Sequence, residues 1–199
     1  MPSTINASTS SGIVQTADTS GVLELQSNGT TQFTVDSTGA YGQLERGTAV
    51  ASTSGTSVDI TGIPSWVKRV TIMFNDVSTS GTSNPVIRLG TAGGIDSSAN
   101  YYAMGGNINT SSVATATNYT TGFGLLSSTA SNSIVGSFVI TNISGNIWIM
   151  SGTFAQNTSN VNWITGRVPL SGVLTQLRVT TLGGTDTFDA GSINILYEG

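Results

Sequence analysis

Asp186 and Asp189 are the residue pair whose types and spacing could support chemistry. They stand close together in a stretch rich in Gly and Thr, from 183 to 190. Two neighbouring carboxylates can work as general acid and base, and their oxygens suit Ca²⁺ or Mg²⁺. The same composition is typical of a solvated turn before a strand, and we favour the turn over both reactive roles.

The sequence lacks the side chains on which most catalytic and metal sites depend. It contains no His and no Cys, which excludes His-based triads and thiolate metal sites. We therefore expect no enzymatic activity. We also expect no catalytic residue, no cofactor-binding residue and no metal ligand in this chain.

Aromatic rings are the other side chains with a chemical use, because an exposed ring can stack on a sugar while its polar end stays in water. Tyr101, Tyr102 and Trp163 lie in polar stretches, and we predict them as surface-binding residues. For these rings, we nevertheless favour burial or a contact between subunits over the binding of a surface ligand. Trp148 is predicted in the core, and Trp66 at a subunit interface.

Charge is scarce along the chain. Of the 199 residues only 8% are charged, and six basic residues stand against ten acidic ones. Ordinary domains carry about 25% charged residues. So few dispersed basic residues do not form a phosphate-binding patch, and we expect neither nucleic acid nor an anionic membrane as a partner.

The hydrophobic pattern predicts an all-β protein. Short apolar runs with period-two alternation are separated by Gly, Asn, Asp and Ser, and no stretch shows the apolar spacing of a helix. Many short strands of this kind indicate a β-sandwich or a barrel. Of the two, we predict an antiparallel β-sandwich of jelly-roll type. The predicted strands are 48–53, 56–61, 66–75, 85–90, 122–127, 134–142, 146–155, 161–168, 174–181 and 188–197.

Two segments carry the clearest strand signals. Residues 55–76 predict a strand, a tight turn at Gly62–Ser65 and a second strand, which together indicate a hairpin. Residues 134–155 predict another hairpin, with apolar side chains on both faces of its strands. Because strand side chains alternate, one face suits the core and the other suits another subunit. The stretch 92–120 is ambiguous, and we expect it to contain both a functional loop and hidden strands.

The N-terminal region differs from the rest of the chain. Its strand-like runs each offer only two or three apolar side chains, which is too few for a core within one copy. Asn28-Gly29 is a hairpin signal between two of these runs. We predict an extended N-terminal arm or shaft segment over 1–45 and a β-sandwich domain over 46–199. The short runs are 13–15, 22–25 and 32–35.

Short motifs in the middle and at both ends of the sequence form a further pattern. They are Pro2–Thr9, Ala17–Gly21, Gly55–Pro64, Val67–Phe74, Ser78–Asn84, Ile87–Gly90 and Gly191–Glu198. These motifs resemble those of bacteriophage virion structural proteins of the tail-fibre and head-decoration type, and the opening residues are similar to the start of such proteins from phages of aquatic bacteria. The resemblance implies a mostly β, homotrimeric virion component and brings no catalytic residues with it.

Two roles follow from that resemblance. In the favoured one, the chain is a tail-fibre-like appendage that is attached through its arm and touches a host surface glycan through 92–120 and 156–163. In the other, it is a capsid cement or decoration protein that stabilises the phage head. Expected partners are further copies of the chain and a tail or major capsid protein. The start of the sequence does not resemble a signal peptide, so we expect synthesis in the host cytoplasm and incorporation into the virion.

Overall fold

The computed structural model describes residues 21–27, 29–36, 39–41, 44–109, 112–130, 132–157 and 160–199, and every regular element in these ranges is a β-strand. The predicted all-β class is therefore confirmed. The chain divides into two compact units, Met1–Gln43 and Leu44–Gly199. The described residues include no helix that is long and apolar enough to span a bilayer.

The strands follow one another at short intervals. In chain order, the strands of the described residues are β1 (Leu23–Ser27), β2 (Thr30–Asp36), β3 (Gly39–Tyr41), β4 (Leu44–Arg46), β5 (Val50–Ala51), β6 (Ser57–Thr61), β7 (Arg69–Thr79), β8 (Pro85–Thr91), β9 (Gly94–Ile95), β10 (Tyr102–Asn109), β11 (Ser112–Tyr119), β12 (Phe123–Gly124), β13 (Ile134–Ser144), β14 (Ile147–Gln156), β15 (Asn160–Pro169), β16 (Gln176–Thr181) and β17 (Phe188–Glu198).

The first unit contains a three-stranded antiparallel sheet in the order β1-β2-β3. The predicted hairpin is confirmed, since Leu23 pairs with Val35 and Leu25 pairs with Phe33 across β1 and β2. Asn28 and the predicted run 13–15 lie outside the described residues. The role of this region as an anchoring arm stays a prediction.

The second unit consists of two antiparallel sheets that share one hydrophobic core. The larger sheet has the order β11-β10-β15-β14-β13-β7-β17-β4, with β5 also paired to β17, and the smaller has the order β12-β8-β16-β6, with β9 paired to β8. Buried side chains of both sheets belong to a single cluster. This is a sandwich-like arrangement, because two sheets cover each other's apolar faces.

Aromatic side chains fill much of this core. Phe138 is fully buried, and its ring meets Phe74 edge-on at a centroid distance of 5.1 Å. Tyr101, just before β10 of the larger sheet, makes a similar contact with Phe123 of the smaller sheet, also at 5.1 Å. Burying one such ring is worth about 1.5–3 kcal/mol. The Tyr101–Phe123 contact therefore ties the two sheets to each other.

Glycines on the inner face of the larger sheet make room for these rings. Gly136 lies opposite Phe154, and Gly152 lies opposite Phe138. A Cβ atom on Gly152 would stand only 2.7 Å from the carbonyl oxygen of Ser137. Because these glycines have no side chain, the bulky aromatic groups opposite them fit between the strands without a clash.

The predicted hairpin between 56–61 and 66–75 is wrong. β6 pairs with β16 in the smaller sheet, whereas β7 pairs with β13 and β17 in the larger one. The segment between them crosses the core, because Ile63 and Val67 are 4% and 3% exposed. The second strand also begins three residues later than predicted, at Arg69. Because both side chains are buried in the core, this short connection passes from one sheet to the other and does not form a tight turn.

Other predictions agree with the structure. The hairpin over 134–155 is confirmed as β13 and β14, which pair along their whole length. The ambiguous stretch 92–120 does contain hidden strands, β10 and β11, which form one hairpin in the larger sheet. By contrast, the predicted strands 48–53 and 122–127 shrink to the two-residue strands β5 and β12.

Candidate binding surface

The outer face of the larger sheet carries the side chains that point away from the core. Along β14, Trp148 and Met150 are buried, while Ile149 and Ser151 are exposed. The same alternation holds in β15, where Ile164 is buried and Thr165 is exposed. Strand pairing then aligns the outward side chains into rows that run across neighbouring strands.

One row begins at Tyr102. Arg167 lies directly opposite Tyr102 on one side and directly opposite Ile149 on the other. In the adjacent row, Met104 lies opposite Thr165. These side chains line a shallow depression, which we call the Tyr102 depression. Its rim is accessible, because Tyr102 is 68% exposed, Met104 42% and Ile149 41%.

Arg167 is the charged member of the Tyr102 depression. Within the part of the chain that the structure describes, the ion pairs are Arg69–Glu198 and Arg178–Asp59, and neither includes Arg167. Among the described residues, Arg167 therefore stands between Tyr102 and Ile149 without a carboxylate partner. A guanidinium group in this state can pair with an external anion.

A second row lies toward the other end of the same strands. Ile108 is opposite Val161, Val161 is opposite Ala155, and Ala155 is opposite Val135. Ile108, Val161 and Val135 are 56%, 60% and 45% exposed. We call Ile108, Val161, Ala155 and Val135 the apolar row. Four neighbouring strands thus present a continuous line of uncharged, apolar side chains to solvent.

Trp163, a predicted surface-binding residue, lies next to the apolar row. It is half-buried on the outer face, between Gly106 on β10 and Thr153 on β14. Trp163 and Tyr102 therefore share one face of one sheet, although 61 residues separate them in the sequence.

Tyr101 does not belong to this surface. It is 3% exposed, its hydroxyl oxygen accepts a hydrogen bond from the Leu89 amide at 2.8 Å, and its O–H donates to the Asp96 carbonyl oxygen at 3.2 Å. Burial raises the pKa of the Tyr101 hydroxyl well above its ordinary value. The ring is therefore unavailable to a surface ligand, and the predicted pair of tyrosines reduces to Tyr102.

Asp186 and Asp189 fix the chain before and at the start of β17. The Asp186 carboxylate accepts a hydrogen bond from the Ser83 amide at 2.8 Å, and the Asp189 carboxylate accepts one from the Ser78 hydroxyl. Asp186 thus joins the loop before β17 to the connection between β7 and β8, whereas Asp189 joins β17 to β7. Among the described residues, no three His, Cys, Asp or Glu side chains gather into a metal-binding group.

Neither Arg167 nor the apolar row was predicted from the sequence. Their neighbours across the sheet come from β10, β13 and β14, and the register between these strands cannot be read from local patterns. Alternation around 161–167 would have placed Arg167 outward. It would not have placed it beside Tyr102.

No protein-family model, no curated protein and no solved structure matches this chain. The outer face of the larger sheet and the motifs of the sequence are therefore the features from which we infer a function. That face carries apolar side chains, hydroxyl groups and Arg167, which are groups able to bind a partner.

Proposed function

We propose that the chain is a non-enzymatic bacteriophage virion structural protein, a homotrimeric tail-fibre-like appendage attached through its N-terminal arm. The assignment to a phage particle rests on the motifs that resemble phage virion proteins. The assignment to an oligomer rests on the apolar row, an exposed line of hydrophobic side chains on the outer face of a folded domain. Contiguous exposed apolar groups of this kind mark surfaces that associate.

The apolar row suits contact between identical subunits. It contains no charged side chain, so two or three copies meet there without burying unpaired charges. Burial of each Val or Ile contributes about 1.5–3 kcal/mol, against an association cost of roughly 4–15 kcal/mol. The row therefore forms the centre of a larger contact, in which the half-buried Trp163 beside it takes part.

The jelly-roll topology belongs to the same proposal. The path of the chain supports it, because β6 lies in the smaller sheet, β7 in the larger and β8 in the smaller again. Repeated crossing between two antiparallel sheets is the property that jelly rolls share. Trimers of such domains are compatible with a fibre tip and also with a capsid decoration protein.

Val161→Asp tests the trimer. The substitution places a carboxylate at the most exposed position of the apolar row, so we expect the wild-type chain to sediment as a trimer at micromolar concentration and the variant as a monomer. Val173→Asp is the matched control, since Val173 is 54% exposed but lies outside the strands of the larger sheet. A monomeric wild-type chain contradicts the proposal, as does a trimer that survives Val161→Asp.

Labelling of intact particles tests the location. An antibody against the exposed loop 97–100 should mark the tail of the particle under the electron microscope. Label spread over the head in hundreds of copies would instead identify a capsid cement or decoration protein. Reproducible depolymerisation of a polysaccharide by the pure chain would contradict a non-enzymatic role.

A further inference from the structure

The Tyr102 depression combines features that a purely structural surface does not need. Its wall contains an aromatic ring that is 68% exposed. Ser151 and Thr165, which carry hydroxyl groups, and the apolar residues Met104 and Ile149 also line the depression. Arg167 stands in the middle of the same row with no carboxylate partner among the described residues.

These groups match the chemistry of an acidic sugar. The C–H face of a pyranose ring stacks on an exposed tyrosine, and its hydroxyl groups exchange hydrogen bonds with Ser and Thr hydroxyls. A guanidinium group binds a carboxylate with two parallel hydrogen bonds, which gives direction as well as strength. A neutral sugar would leave Arg167 without a partner, and an aliphatic acid would leave the ring of Tyr102 uncovered.

We propose that Tyr102, Thr165 and Arg167 form a subsite for a carboxylate-bearing saccharide, such as a hexuronic acid unit. The ring of Tyr102 stacks on the sugar, and Arg167 pairs with its carboxylate. The inference rests on the proposed function in one respect, namely that a surface polymer of the host supplies the sugar.

The subsite and the trimer contact occupy different parts of the outer face. Tyr102 and Ile108 lie on the same strand, six residues apart, which corresponds to roughly 20 Å at the rise of a β-strand. A subunit centred on the apolar row, with a contact that ends at Trp163, therefore leaves Tyr102 and Arg167 open. The unpaired charge of Arg167 also makes the depression a poor contact for an identical, equally charged depression of another copy.

The test measures binding of a short oligogalacturonate to the full chain by isothermal titration calorimetry. Its methyl ester is the matched probe, because it has the same sugar ring without the charge. We expect the wild-type chain to bind the acid more tightly than the ester. Arg167→Gln should weaken binding of the acid by roughly tenfold or more, since it removes a charge-assisted bidentate contact, and should leave binding of the ester unchanged.

Two further variants separate the roles of the residues. Tyr102→Ser should weaken binding of both probes, because the stacking ring serves acid and ester alike. Arg69→Gln is the control: Arg69 lies on the same face, but it is already paired with Glu198 at 3.1 Å. It should bind both probes as the wild type does.

Three results would overturn the inference. The first is a wild-type chain that binds neither probe, or binds acid and ester equally. The second is an Arg167→Gln variant that retains wild-type affinity for the acid. The third is a change in sedimenting mass on Arg167→Gln, which would make the depression a subunit contact. A chain that labels the phage tail but fails these binding tests would disprove the subsite and leave the proposed function intact.

Discussion

The outer faces of the two sheets differ in how their side chains meet water. On the smaller sheet, Arg178 forms two hydrogen bonds with the Asp59 carboxylate at 2.6 and 2.7 Å. Arg88 donates to the Thr121 carbonyl oxygen at 2.8 Å. The larger sheet instead exposes aliphatic and aromatic groups, including Ile108, Val135 and Val161.

Under the proposed function, the two faces have different partners. Arg178 and Arg88 of the smaller sheet bind groups of the chain itself, so these side chains need only water besides. The larger sheet leaves apolar groups in water and leaves Arg167 without an acid of the described chain, and both conditions are improved by something outside the chain. A fold needs one buried face per sheet, and a second apolar face indicates assembly or ligand binding.

Phe138→Ala should cause the largest loss of stability, because it removes a large side chain from the core. Its comparison with Ser137→Ala contrasts an inner with an outer position on β13. Phe138 is fully buried between Phe74 and Phe154, and its removal should lower the free energy of unfolding by about 3–5 kcal/mol. Ser137→Ala, at the neighbouring outward position, should change it by less than about 0.5 kcal/mol. Urea denaturation of both variants gives the comparison, and equal losses would mean that the two faces of β13 do not differ as described.

Tyr101→Phe should have an intermediate effect. The variant removes the hydroxyl oxygen that accepts a hydrogen bond from the Leu89 amide. A buried donor left unsatisfied lowers the free energy of unfolding by about 1–3 kcal/mol. Tyr102→Phe is the matched control, because its hydroxyl lies at an exposed position, and it should leave stability unchanged. The same urea titration measures both variants. A loss of equal size in both would refute the opposite placement of these adjacent tyrosines.

The buried tyrosine also predicts a dependence on pH. Burial raises the pKa of Tyr101 above its ordinary value of 10.0, so the unfolded chain loses this proton at a lower pH than the folded chain. The contribution of this group to the free energy of unfolding is fully present below pH 10 and decreases as the pH rises further. The free energy of unfolding of Tyr101→Phe should therefore fall less steeply with pH than that of the wild type. The fall should not vanish, because burial also raises the pKa of Tyr119 and Tyr197.

Arg178→Gln should have the smallest effect. The pair with Asp59 lies on the outer face of the smaller sheet, with side chains 39% and 38% exposed. Exposed ion pairs contribute only about 0–1 kcal/mol, and salt screens them. Unfolding free energies measured at low and high salt should therefore differ little between variant and wild type. A large loss would show that the polar face of the smaller sheet supports the fold more than its exposure indicates.

Local patterns predicted the fold class and which side chains of a strand share a face. Phe138 and Ile140 point inward and Ser137 points outward, because strand periodicity is a property of a few consecutive residues. Local patterns do not determine the sheet to which a strand belongs. The sequence between β6 and β7 is compatible with a turn and with a crossing between sheets, and only the burial of Ile63 and Val67 in the assembled core distinguishes the two.

The binding surface was predictable only in part for the same reason. Tyr101 and Tyr102 point to opposite faces, and the choice between them depends on where β10 lies relative to the core. Arg167 lies beside Tyr102 through the register of β10 with β15. Such a register is set by side-chain packing across the whole sheet, which the sequence of either strand alone does not contain.

The position of β17 has a consequence for how the protein is made. β17 lies between β7 and the β4 and β5 segments, yet more than one hundred residues separate it from β7 in the chain. On the ribosome, the edge of β7 therefore stays open until residues 188–198 have been synthesised. Pairing between distant segments slows folding and leaves strand edges free to join other chains. Synthesis of many copies close together would then favour pairing between neighbouring chains before each domain has closed.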